Sequence, residues 1–127
     1  MDSLIRYGFT IEEIKILMDT NEEISSVSDN HVSDIIKLLE SINCDKNEIK
    51  NILICNPFCL SNSIKSLNKL IDKLNEFGFI YLNLLFSNNP YILNMSDKEL
   101  EKLYNKKKED GLTKEEIIDF ISYNIIF

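Results

Sequence analysis

Thiols, one imidazole and paired carboxylates are the side chains here whose types could do chemistry. Cys44, Cys55 and Cys59 supply the thiols and His31 the sole imidazole. Cys55, Cys59 and His31 leave a tetrahedral zinc site one ligand short, so no metal is expected. Three cysteines form an odd set without a disulfide framework, which fits a reducing compartment. They read as small, buried, apolar side chains. His31 would have to carry any acid–base scheme alone, and a surface or capping place early in a helix suits it better. The pairs Glu12-Glu13 and Glu115-Glu116 fall in first helical turns, where acids satisfy orphan N–H groups and complement the dipole. Neither a glycine-rich phosphate loop nor a Gly-x-Ser-x-Gly motif occurs. The chain is therefore read as a non-enzyme without a cofactor.

The other chemistry is charge. Lys65, Lys69 and Lys73 step by four and share one helical face, and Lys98, Lys102 and Lys106 repeat them 33 residues later. At about 100° per residue each stripe lies opposite Leu67, Leu70, Ile71 and Leu74 or their equivalents. All six lysines are thus expected in solvent, as a ladder able to hold phosphates. A solvated, lysine-rich face is the alternative. Asn30, Asp34 and Leu38 take these places earlier in the chain, and Asp72, Glu76, Glu99 and Glu101 dilute the field.

Positioning these groups requires a repeat. Gly8-Phe9-Thr10-Ile11-Glu12-Glu13-Ile14 and Gly111-Leu112-Thr113-Lys114-Glu115-Glu116-Ile117 match at five of seven positions. Degenerate copies begin at Asn43 and Gly78, giving steps of 35, 35 and 33. Asn21, Asn56, Asn89 and Asn124 step by 35, 33 and 35, and Ser28, Ser63 and Ser96 by 35 and 33. Three residue types in one register establish a repeat.

Thr10-x-x-Glu13, Asp45-x-x-Glu48 and Thr113-x-x-Glu116 have capping-box form and open a first helix, A. Pro57 and Pro90 stop it at the preceding asparagine, a residue that tolerates the left-handed turn ending many helices. Phe58-Cys59-Leu60 and Tyr91-Ile92-Leu93 then make a tight turn under the next helix. The serines cap that second helix, B, and Gly78 and Gly111 sit where a helix end wants positive φ. Seven helices follow: A at roughly 10–20, 45–55, 79–88 and 113–123, and B at roughly 29–42, 64–77 and 97–109. The fold class is all-α, an α-solenoid of about four helix–turn–helix repeats of period 33–35, in one domain over 1–127. Repeats fall at approximately 8–42, 43–77, 78–110 and a truncated 111–127.

The markers together resemble the mitochondrial transcription termination factor (mTERF) family. The resemblance lies in Gly-[Phe/Leu]-Thr-x-Glu-Glu-Ile, twice in Asn-Pro-[Phe/Tyr]-[Cys/Ile]-Leu, and in a serine-capped helix ending Leu-x-x-[Phe/Asp]-Gly. It implies a curved stack of helix pairs and nucleic-acid binding along a positively charged surface. The acidic charge and the start of the chain point to a bacterial or divergent member.

Charge sets the expected partners. Fourteen basic residues stand against 21 acids, a net charge of −7. An acidic chain is handicapped on phosphate backbones, so a protein partner is the first reading and a nucleic acid the alternative. No apolar run approaches the ~18 residues of a membrane span. The opening Met1-Asp2-Ser3 carries no recognisable presequence, and a cytoplasmic location is expected. Phe120, Tyr123, Ile125, Ile126 and Phe127 form a candidate self-association patch. They either fold back near Lys107 and Asp110, in a monomer, or pair two copies; the monomer is the expectation.

Overall fold

The computed structural model describes residues 2–123. Hydrophobic stripes at helical spacing give eight α-helices among the described residues: α1 Asp2–Tyr7, α2 Ile11–Thr20, α3 Asp29–Ser41, α4 Lys46–Cys55, α5 Ile64–Glu76, α6 Leu82–Asn88, α7 Asp97–Glu109 and α8 Lys114–Tyr123. Short 3-10 turns at Glu22–Ser26, Pro57–Ser61 and Pro90–Asn94 join the A helices α2, α4 and α6 to the B helices α3, α5 and α7. No strand occurs among the described residues. The all-α repeat fold expected from the sequence is the fold observed.

Packing divides the chain into two compact units, residues 1–62 and 63–127. In the first unit α1 lies against α3 and α2 against α4. In the second, α5 lies against α7 and α6 against α8. Like helices stack on like, so each unit alternates A-on-A with B-on-B contacts. Leu4, Leu17, Ile35, Leu39, Ile49 and Leu53 are fully enclosed in the first unit, and Leu70, Leu74, Phe86 and Leu100 in the second. Each such side chain contributes about 1.5–3 kcal/mol on burial, whereas a helix cap contributes about 1. The stripes therefore decide the packing and the caps decide where each helix begins.

The caps form as expected. Thr10, Asp45 and Ser96 make complete capping boxes with Glu13, Glu48 and Glu99, and Thr113 does so with Glu116 at 2.9 and 3.2 Å. Ser28 and Ser63 each accept one N–H, from His31 and Ser66.

Four expectations need correction. An eighth helix, α1, precedes the seven, standing where a preceding helix B would; Ser3 ties it to Asp29 at 2.9 Å. Helix α6 starts at Leu82, not near 79. Repeat three spans only four positions from Gly78 to Leu82 where the others span six, so its capping box is deleted and Tyr81 stands at the helix start without a side-chain cap. The asparagines ending helix A are not left-handed but have φ near −140° (−136°, −136° and −141° at Asn21, Asn56 and Asn89). They are kept for their buried amides instead. Asn21 Nδ2 donates to Ser61 Oγ at 2.8 Å, and Asn89 Nδ2 to the Ile121 carbonyl at 3.1 Å, so each latches the next repeat. Lastly, Cys55 is exposed, unlike the buried Cys44 and Cys59.

Positive φ occurs where a helix B ends: +94° at Gly78 and Gly111, and +72° at Asn43, whose side chain tolerates it. Gly78 also has a flexible neighbour that a side chain would displace. The Lys114 side chain lies across it, and a methyl there would stand 2.5 Å from Lys114 Cε.

Candidate nucleic-acid interface

Helices α5 and α7 carry the lysine stripes within the second unit. Each is thirteen residues long and serine-capped. Leu67, Leu70, Ile71 and Leu74 are buried on α5, while α7 is weakly apolar and buries Leu100 alone. Their contact is completed at one end by Phe77 stacked on Tyr104, with centroids 4.0 Å apart and planes 4° from parallel.

Lys65, Lys69, Lys98, Lys102 and Lys106 are exposed. Lys73 departs from the expected pattern. It is half-buried, with its ammonium 3.1 Å from Glu76, 3.7 Å from Glu101 on α7 and over the Phe77 ring. The Glu76 hydrogen bond is the main cause holding this ammonium above the usual lysine pKa. At some 80° round α5 from Lys65, Lys73 leans toward the neighbouring helix, so its ammonium pairs with Glu76 on α5 and reaches Glu101 on α7. Lys106, Lys107 and Lys108 lie in the last turn of α7, where cations complement the helix dipole. Lys107 sits 4.3 Å over the ring of Phe120 on α8.

The acid excess lies elsewhere in the sequence. Residues 63–127 hold nine lysines against ten acids, a net of −1, while residues 1–62 hold five bases against eleven acids, a net of −6. The chain's charge of −7 therefore says little about the surface of α5 and α7. Asp72, Glu76, Glu99, Glu101 and Glu109 still interleave the lysines.

The other candidate residues are not gathered into a site. The Glu13 and Glu116 carboxylates accept N–H bonds from Thr10 and Thr113, which holds both below the usual carboxylate range. They are caps kept ionised, unsuited to proton donation. His31 is half-buried at the start of α3. No three His, Cys, Asp or Glu side chains converge among the described residues. No described helix is long and apolar enough to cross a membrane. Of the candidate self-association residues, Phe120 is half-buried beneath Lys107 and Tyr123 is exposed. Ile125, Ile126 and Phe127 lie outside the described residues.

A feature the sequence reading missed is a groove of about 300 Å³ between α6 and α8, with Ile80, Tyr81, Leu84 and Ile118 among its walls. Its signal was present in the repeat steps. Glycine markers space repeats two and three by 35, but the asparagine markers space them by 33. The difference is the two residues deleted between Gly78 and Leu82.

No curated protein and no solved structure matches the chain. The mTERF family model matches residues 1–124, nearly the whole length. A match over almost the entire chain, on a fold of recurring helix pairs, places it: the chain belongs to the mTERF family.

Proposed function

We propose that this chain is a non-enzymatic mTERF-family module that holds a nucleic-acid backbone across α5 and α7. Lys65, Lys69, Lys98, Lys102 and Lys106 carry the contact, and Lys73 fixes the two helices side by side. The family's association with nucleic acid supports the reading. The observation that carries it is five exposed lysines on two packed helices, in a stretch whose net charge is close to zero. This reverses the preference drawn from net charge alone, because the acids that set that preference are concentrated in residues 1–62.

Titration of labelled duplex DNA and single-stranded RNA at about 50 and about 200 mM salt tests it. With five phosphate contacts, log affinity falls against log salt with a slope near −4.5 for duplex and near −3.5 for single strands. Replacing Lys65, Lys69, Lys98 and Lys102 with glutamate abolishes binding. Lys73→Glu loosens the α5–α7 contact and leaves the slope nearly unchanged. Absence of binding at the lower salt removes this reading. The groove between α6 and α8 favours a second one, a protein partner, on other helices of the same unit.

A further inference from the structure

The groove between α6 and α8 is the space left by a missing helical turn. Helix α6 has seven residues where α2, α4 and α8 have ten. The first unit offers the same pair of helices intact, α2 against α4. There Glu13 and Lys50 form an ion pair at 3.0 Å that bridges the seam, and Lys50 also reaches the Gly8 carbonyl at 3.2 Å.

Aligning Ile14 with Leu82 and Ile49 with Ile117 puts Tyr81 at the place of Glu13 and Ile118 at the place of Lys50. The polar bridge has become apolar. Ile80, Tyr81 and Leu84 are 77%, 67% and 52% exposed, a cluster no cap or partner helix covers among the described residues. The rim changes too. Where α4 has the neutral Asn47 and Asn51, α8 has Glu115 and Asp119, both exposed and both lining the groove. Neither is in an ion pair among the described residues. The neighbouring cation, Lys114, lies over Gly78.

A self-satisfied seam has thus been exchanged for an apolar floor under two carboxylates. Places where one repeat breaks the rule the others keep are where function is expected. Nucleic acid does not fit, since phosphates would meet Glu115 and Asp119. About 300 Å³ is at the small end of ligand sites, roughly 300–1,000 Å³, and suits one anchoring side chain. The geometry points to a docking site for a short segment of a partner protein, with one large apolar side chain in the groove and lysine or arginine flanking it. Apolar burial supplies the affinity and the carboxylates set orientation and selectivity.

A random dodecapeptide library selected on the full chain tests this. Enriched peptides should carry an aromatic, leucine or isoleucine anchor with at least two nearby lysines or arginines. Their amide-shift changes should centre on Ile80, Tyr81, Leu84 and Ile118. The pair Tyr81→Glu with Ile118→Lys restores the ion pair of α2 and α4, closes the groove, and should weaken these peptides at least about tenfold. Glu115→Asn with Asp119→Asn, at exposed positions, should weaken them similarly while keeping the helical signal and lowering the thermal midpoint by only a few degrees, the cost of one first-turn carboxylate of α8. The first pair is charge-neutral, so duplex DNA titrations should stay within about twofold, separating this site from the lysine face. No enrichment, enriched peptides lacking basic residues, or equal binding to both variants overturns the proposal. Occupation of the groove by residues 124–127 or by a second copy would appear as no enrichment.

Discussion

Single residues showed in the sequence as markers, but the atom each marker keeps did not. Asn21, Asn56 and Asn89 were legible as a constrained position, yet periodicity cannot tell a backbone requirement from a side-chain one. Their extended φ and buried amides decide for the side chain. Cysteine burial was legible for two of three: Cys55 ends α4 on its solvent side, whereas Cys59 lies inside the turn that follows. Burial pushes the Cys59 thiol up to about 12, and Cys44 likewise, against 9.0 for an ordinary thiol. A thiol reagent at mildly alkaline pH should therefore label Cys55 alone in the folded chain, and all three in urea. The unfolded chain gives up these protons first, since its thiols keep the ordinary pKa. The contribution to stability is complete below about pH 9 and is lost as pH rises toward 12. Urea midpoints should accordingly fall between pH 8 and pH 10 in the wild type, and fall less in Cys59→Ala.

At the scale of helices, boundaries followed from caps and prolines, because those signals act within one turn of where they stand. The exceptions have local causes. Helix α1 is six residues with only Gly8 to mark its end, and α6 lost its cap with the two deleted residues. The lysine stripes were legible as angles on one helix. What lies beside a helix is not an angle, so the Lys73–Glu101 pair and the stacked Phe77 and Tyr104 could not be read. Glycine at the ends of helix B allows a sharper expectation. Gly78 and Gly111 share φ +94°, but only Gly78 has Lys114 against it. Left-handed backbone costs an L-residue about 1–2 kcal/mol. The end of a lysine side chain swings aside easily. Gly78→Ala and Gly111→Ala should thus lose nearly the same stability, about 1–2 kcal/mol in urea titrations. A much larger loss at Gly78 would mean that Lys114 is held in place.

For the whole molecule, the repeat was legible and the distribution of charge was not used until the chain was divided. A net of −6 over residues 1–62 repels itself, and salt screens that repulsion within about 10 Å at 0.1 M. Raising salt from about 50 to about 500 mM should raise the thermal midpoint, by about 4 °C if screening contributes about 1 kcal/mol. On the proposed reading the same salt should loosen nucleic acid from α5 and α7, so that fold stability and binding would respond in opposite directions. A midpoint indifferent to salt would show that the acids are too well solvated to matter.

The asparagine latches both reach forward along the chain. Asn21 bonds residues 36 and 40 positions on, and Asn89 one 32 positions on, about one repeat in each case. Native links of such short range close small loops, and chains rich in them fold quickly. A ribosome delivers a chain from its N-terminus at about 5–20 residues per second. Each latch can therefore engage within seconds of its own asparagine being made, as soon as the following repeat is complete. The protein can mature one turn of the array at a time while still being synthesised, so little apolar surface waits exposed for the rest of the chain.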